Sequence, residues 1–180
     1  MRILLVLAFI FTIALADRDG GPYLGVGYGI SEYKDDGKYD GILEKNSDLI
    51  FFYAGAYINK HLSVELGYAK MQSSKYKVEH DSKNLEVGYS LHNISTLAHY
   101  AFFDERLDLY IKFGAGFIKS SNEDGSSFIY GIGSSLRLNE LLSVKFAYDI
   151  YEFGYDENAN GTSNYDMKIH YPYIGMEFQF

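Results

Sequence analysis

Three stretches of the chain alternate apolar and polar residues behind a short polar turn. Asn59-Lys60-His61 leads into Leu62-Ser63-Val64-Glu65-Leu66-Gly67-Tyr68, and Asn139-Glu140-Leu141 leads into Leu142-Ser143-Val144-Lys145-Phe146-Ala147-Tyr148. A looser copy, Asp104-Glu105-Arg106, precedes Leu107-Asp108-Leu109-Tyr110-Ile111-Lys112-Phe113. A period of two belongs to a β-strand with two different faces. Each frame lies between strand-like runs, so the repeated unit is a tight hairpin. Polar stretches at 34–48, 73–84, 120–127 and 155–166, rich in Asp, Ser, Asn, Gly and Lys, read as longer loops between the hairpins. The pattern predicts eight strands at 22–33, 49–58, 62–72, 85–102, 107–119, 128–138, 142–154 and 166–180. The fold class expected is all-β: an eight-stranded antiparallel up-and-down barrel with short turns at one end and long loops at the other.

Alternation also assigns the faces, because a slip of one residue exchanges them. One face takes Leu24, Val26, Tyr28 and Ile30, then Leu62 to Tyr68, Leu107 to Phe117 and Leu142 to Ile150 at alternate positions. The other takes glycines together with Glu65, Asp108, Lys112, Arg137, Lys145, Asp149 and Glu177. A soluble ligand carrier turns its apolar face inward. Here the polar set is too rich in small residues to coat an outside, so the aliphatic face is expected against lipid and the charged face in the lumen. In the fourth strand, Ile94, Ala98, Tyr100 and Phe102 are assigned to lipid because this turns Asn93 and His99 inward, with a bulge or longer turn near Asp104 absorbing one residue.

The start of the chain agrees with export. Arg2 precedes an apolar run over 3–16 that closes on Ala14-Leu15-Ala16, the form of a secretory signal peptide. The expectation is a signal at 1–16 and a barrel domain at 17–180. The run is shorter than a spanning helix requires, and the longest later apolar stretch, 49–58, suits a tilted strand. Composition adds 18 Tyr, 13 Phe and 18 Gly among 180 residues, a strand-forming set. The formal charge of −8 lacks the cationic footprint of a nucleic-acid binder. With no cysteine, disulfides, thiolate metal sites and thiol catalysis are excluded.

The chain ends Ile174-Gly175-Met176-Glu177-Phe178-Gln179-Phe180. With the signal, the glycine-rich first strand Tyr23-Leu24-Gly25-Val26-Gly27-Tyr28 and the three hairpin frames, this ending resembles the small eight-stranded outer-membrane barrels of the OmpA/OmpX type, the outer membrane protein β-barrel domain or porin-family group. The resemblance implies a Gram-negative outer membrane, contact with its lipid and lipopolysaccharide, and an assembly machinery that reads Phe178 and Phe180. The function expected is that of a monomer without cofactor or enzymatic activity, with a structural or surface-presenting role and loops open to host or surface ligands; a dedicated adhesin is a lesser alternative.

The seven inward charges are expected to form an ionic network that fills the lumen, since an eight-stranded interior is just filled by side chains. The alternative is a narrow gated pore for ions or small solutes. Arg137 is expected to bridge Glu65 or Glu177. Tyr28, Tyr68, Tyr130 and Tyr148 fall toward the loop ends of their strands and read as an aromatic girdle. A lipid-modifying group drawn from His92, Ser95 and Glu86 lacks the layout of a triad. The acids at 35–36, 123–124 and 156–157 lack the spacing of a calcium loop and read as solvated. Asn160-Gly161-Thr162 matches a glycosylation triplet that is also ordinary turn chemistry.

Overall fold

A computed structural model describes residues 20–35, 46–71, 74–76, 85–87, 89–103, 106–120, 124–156 and 164–180. The expected signal segment, the Asn160 triplet and most of the long loops lie outside these residues. Eight strands close into an antiparallel barrel: β1 (Gly21–Asp35), β2 (Asn46–Asn59), β3 (Leu62–Met71), β6 (Tyr89–Phe102), β7 (Leu107–Ser120), β8 (Asp124–Arg137), β9 (Leu142–Asp156) and β10 (Asn164–Gln179). Between β3 and β6, the short strands β4 (Ser74–Tyr76) and β5 (Leu85–Val87) pair with each other. Every barrel strand pairs with its sequence neighbours in the barrel, and β1 closes on β10.

The register gives the barrel its tilt. A row of inward residues starts at Tyr23 and passes through Gly55, Glu65, Ser95, Gly114, Ile129, Tyr151 and Ile169. It returns to β1 at Tyr33, ten residues above its start. This stagger tilts the strands and sets how wide the interior is. A barrel of this size is narrow enough for side chains from opposite walls to meet.

The turns lie where the three frames predict. Asn59 pairs with Leu62 across a two-residue turn, with a bulge at Tyr57/Asn59. Phe102 pairs with Leu107, and the Arg106 N–H donates to the Phe103 carbonyl at 3.2 Å in the connection between them. That connection keeps Ile94, Ala98, Tyr100 and Phe102 outward and Asn93 and His99 inward, so the parity expected of the fourth strand holds; Asp104 itself lies outside the described residues. At the third turn, Asn139 Oδ1 accepts from the N–H groups of Leu141 and Leu142, both at 2.9 Å.

Several strands run further toward the loops than expected: β2 begins at Asn46 and β8 at Asp124. Their outward positions there include Asp48 and Ser126. The apolar alternation stops where the lipid-facing band ends, while the backbone ladder continues past it.

Candidate functional site: the lumen

The centre of the lumen is ionic. Lys112 Nζ lies 2.8 Å from Glu65 Oε1 and 2.9 Å from Asp149 Oδ2. Lys145 Nζ lies 2.8 Å from Glu65 Oε2 and 3.6 Å from Glu177 Oε2. Tyrosines complete the shell: Tyr57 donates to Glu177 at 3.0 Å, Tyr171 to Asp149 at 3.2 Å and Tyr23 to Glu65 at 3.4 Å. The Lys145 ammonium also sits 4.3 Å from the Tyr53 ring centroid and 4.9 Å from that of Tyr110, and Lys112 sits 5.0 Å from Phe51. Cation–π attraction is strongest when the cation is desolvated, as here. Glu65, Lys112 and Asp149 have no exposed surface.

Small residues make this convergence possible. Glu65 has Gly55 and Ser95 beside it on the flanking strands, Lys145 has Gly175 and Ser135, and Glu177 has Gly25 and Ser143. Gly131 separates Lys112 from Asp149. Each charged side chain therefore has a low neighbour over which it reaches across the lumen. Other glycines underlie tyrosines: Tyr23 faces Gly55, Tyr53 faces Gly25 and Tyr110 faces Gly133. A Cβ on Gly25 would lie 2.0 Å from the Tyr53 ring.

Toward the turn end a second chain forms on three adjacent strands. Ser63 Oγ is 2.8 Å from His99 Nε2, and His99 Nδ1 is 2.6 Å from Asp108 Oδ2. The Tyr23 hydroxyl lies 3.4 Å from Ser63 Oγ and connects this chain to Glu65. The order serine, histidine, aspartate is that of a nucleophile with its base, but Ser63 is wholly buried, so no substrate carbonyl reaches Oγ. The chain acts as a polar brace. His92 and Ser95 do not join in any such group: His92 points outward and Ser95 inward.

Toward the loop end the lumen changes character. Leu49, Leu91, Ile129, Tyr151 and Ile169 are fully buried, with Tyr33, Met71, Ile118, Phe153 and Met167 nearly so. The Asn93 amide donates to the Tyr151 hydroxyl at the lower edge of this layer. The expected ionic filling is thus one of two layers, with an apolar layer between it and the loops.

Of the seven charges expected to form one network, five meet: Glu65, Lys112, Lys145, Asp149 and Glu177. Asp108 is held by His99 instead. The bridge expected of Arg137 to Glu65 or Glu177 is made by the two lysines. The reason is depth: Arg137 is the last residue of β8 and faces Ser143, whereas Lys145 faces Ser135, two residues further in. The Arg137 N–H donates to the Arg106 carbonyl at 2.8 Å at the rim. Parity places His99 in the lumen but does not join it to the charged group, because its partner Asp108 comes from the next strand. The apolar layer left one signal: over 49–53 both parities are apolar.

The four outward tyrosines lie beside polar groups of neighbouring strands. Tyr28 donates to Asp48 Oδ1 at 2.7 Å and Tyr130 to Glu152 Oε2 at 3.1 Å. The Tyr148 hydroxyl is 2.5 Å from His170 Nδ1, and the Tyr68 ring is 4.9 Å from that of His92. Glu152 also pairs with Lys168 at 3.3 Å, and Glu32 with Lys34 at 3.4 Å, on the loop side of these tyrosines. Below them the outer surface is apolar, with a shallow recess of about 1130 Å³ whose lining includes Ile111, Ile132, Phe146 and Ile174. Phe178 and Phe180 are both outward and exposed. Among the described residues no group of three His, Asp or Glu is placed to hold a metal.

Solved structures with this architecture include Ail, the attachment invasion locus protein of Yersinia pestis, at 17% identity and TM-score 0.58, over 90% of this chain and 99% of that one. Neisserial surface protein A is similar at 13% identity and TM-score 0.61, over 89% and 99% of the two chains. OprG, an outer membrane protein of Pseudomonas aeruginosa, is similar at 14% identity and TM-score 0.60, over 90% and 97%. At these identities the likeness is one of fold. A search of curated proteins finds no match. The profile of the outer membrane protein beta-barrel domain matches residues 3–180, and the chain belongs to that family.

Proposed function

We propose that the protein is a non-enzymatic component of a Gram-negative outer membrane, a sealed barrel that stabilises the envelope and presents its loops at the cell surface. The observation that carries this reading is the two-layer filling of the lumen. Glu65, Lys112 and Asp149 are closed off from solvent, and fully buried Leu49, Leu91 and Ile169 stack toward the loops. A solute would have to part both layers. Removing one member of a buried ion pair typically costs about 3–5 kcal/mol, so a structure that holds several such pairs resists opening. This weighs against the gated pore, the competing reading.

The partners that go with this function are outer-membrane lipid and lipopolysaccharide around the barrel, the barrel assembly machinery acting on Phe178 and Phe180, and surface ligands at the loops. The protein acts as a monomer. Cell fractionation tests the reading: a heat-modifiable band in the outer membrane supports it, and a soluble periplasmic species overturns it.

A further inference from the structure

We propose that the turn end of the barrel is itself a lipid-binding surface, with its turns lying in the phospholipid leaflet on that side rather than in water. The inference rests on the outer-membrane reading and adds the depth at which the barrel sits.

Four places at this end expose large apolar side chains. Ile58 precedes the first turn, Phe103 begins the second, Leu138 and Leu141 flank the third, and Phe180 follows β10. All are more than half exposed, up to 78% for Phe103. Three of them continue an outward row of the wall: Ile58 follows Phe52, Ala54 and Ala56, Leu138 follows Ile132, Ser134 and Leu136, and Phe180 follows Ile174, Met176 and Phe178. Five large apolar side chains exposed around one rim are unusual for a surface that meets only water. The residues also form a ring, since the three turns and the β1/β10 closure divide the rim between them. A protein partner would select one side of the rim. A bilayer meets every side alike.

The height of the apolar wall points the same way. On β3 the outward apolar residues run only from Leu62 to Tyr68 before Lys70, and on β10 from Pro172 to Phe178 beyond His170. Seven residues at about 3.3 Å each, tilted by roughly 40°, rise about 18 Å, against an apolar band of about 25 Å in such barrels. Ile58 and Phe180 extend the wall on the side where it is short. Phe103 adds a backbone observation: its φ of +51° is a conformation that residues other than glycine rarely adopt. The turn accepts it while keeping the ring outside the barrel, where only lipid would cover it. Lys60 and Arg106 stand in the same turns as exposed cations whose long stems let the charge reach headgroups from this depth.

The natural chain has no cysteine, so single labels are unambiguous. Phe103→Cys, Leu141→Cys and the mid-wall control Phe113→Cys are each given a nitroxide. They are folded into phosphatidylcholine–phosphatidylglycerol vesicles and tested for collision with oxygen and with a water-soluble nickel chelate. The heat-modifiable gel shift shows that each has folded, and Leu138→Cys replaces either turn variant that has not. The expected result is an oxygen preference at positions 103 and 141 as strong as at 113. Nickel preference at 103 and 141 with oxygen preference at 113 would overturn the inference and leave the membrane barrel intact. Nickel preference at all three would overturn both.

Discussion

Lys112 and Asp149 meet at 2.9 Å across Gly131, the β8 residue that lies between them in the sheet. The glycine is what lets the ion pair form beside the wall. A Cβ there would lie 2.1 Å from Asp149 Oδ1 and 2.7 Å from the Tyr148 carbonyl, closer than real contacts allow.

Gly131→Ala should therefore displace the aspartate and lower stability by about 1–3 kcal/mol or more, the scale of overpacking in a filled interior. Gly125→Ala, on the same strand with nothing within 4 Å of the added carbon, should change stability by less than about 0.5 kcal/mol. Urea unfolding of the two variants in lipid vesicles, followed by gel mobility, measures the difference.

Lys145→Ala removes the partner that Glu177 shares with Glu65. The cost should be about 3–5 kcal/mol, because Glu177 keeps only the Tyr57 hydroxyl. Arg137→Ala at the half-buried rim should cost less than about 1 kcal/mol, as partly solvated ion contacts do. The same unfolding assay ranks them. Equal costs would show that depth in the lumen does not decide the value of a charge.

The serine, histidine and aspartate at the turn end supply geometry without access. Ser63 should stay unlabelled by fluorophosphonate reagents in folded barrels, whereas Ser63→Ala should lower stability by about 1–3 kcal/mol, the cost of leaving a buried partner unsatisfied. Mass spectrometry of the treated protein reads the first outcome. Covalent modification of Ser63 would mean that this end of the lumen opens to solutes.

Tyr28→Phe and Tyr130→Phe remove hydroxyls that donate to exposed Asp48 and half-buried Glu152. Each should leave stability nearly unchanged, since water replaces the lost bond. Both variants should keep the heat-modifiable shift in vesicles.

Much of the fold is written in the period-two alternation, because each wall residue meets either lipid or the lumen and a register slip exchanges the two. That reasoning places Ile94 outward and His99 inward on β6 without any contact being known. What alternation does not carry is depth. Arg137 and Lys145 share an inward parity, yet the stagger of ten residues around the barrel sets which of them reaches Glu65. The tyrosines of the lumen are hidden for a related reason. Tyr53 and Tyr110 fold over Gly25 and Gly133 on neighbouring strands, a pairing visible only once the strands are in register. The apolar layer of Leu49, Leu91 and Ile169 breaks the polar-inside pattern, and its trace is a run such as 49–53 where both faces are apolar.

The sealed lumen is the centre of this account, and single-channel recording in planar bilayers tests it most directly. The folded wild-type barrel should leave the baseline flat apart from rare small openings, and Lys145→Ala should raise their frequency by freeing Glu177. A steady, large conductance from wild-type barrels would contradict the account, since it would require a continuous water path past Lys112, Glu65 and Asp149.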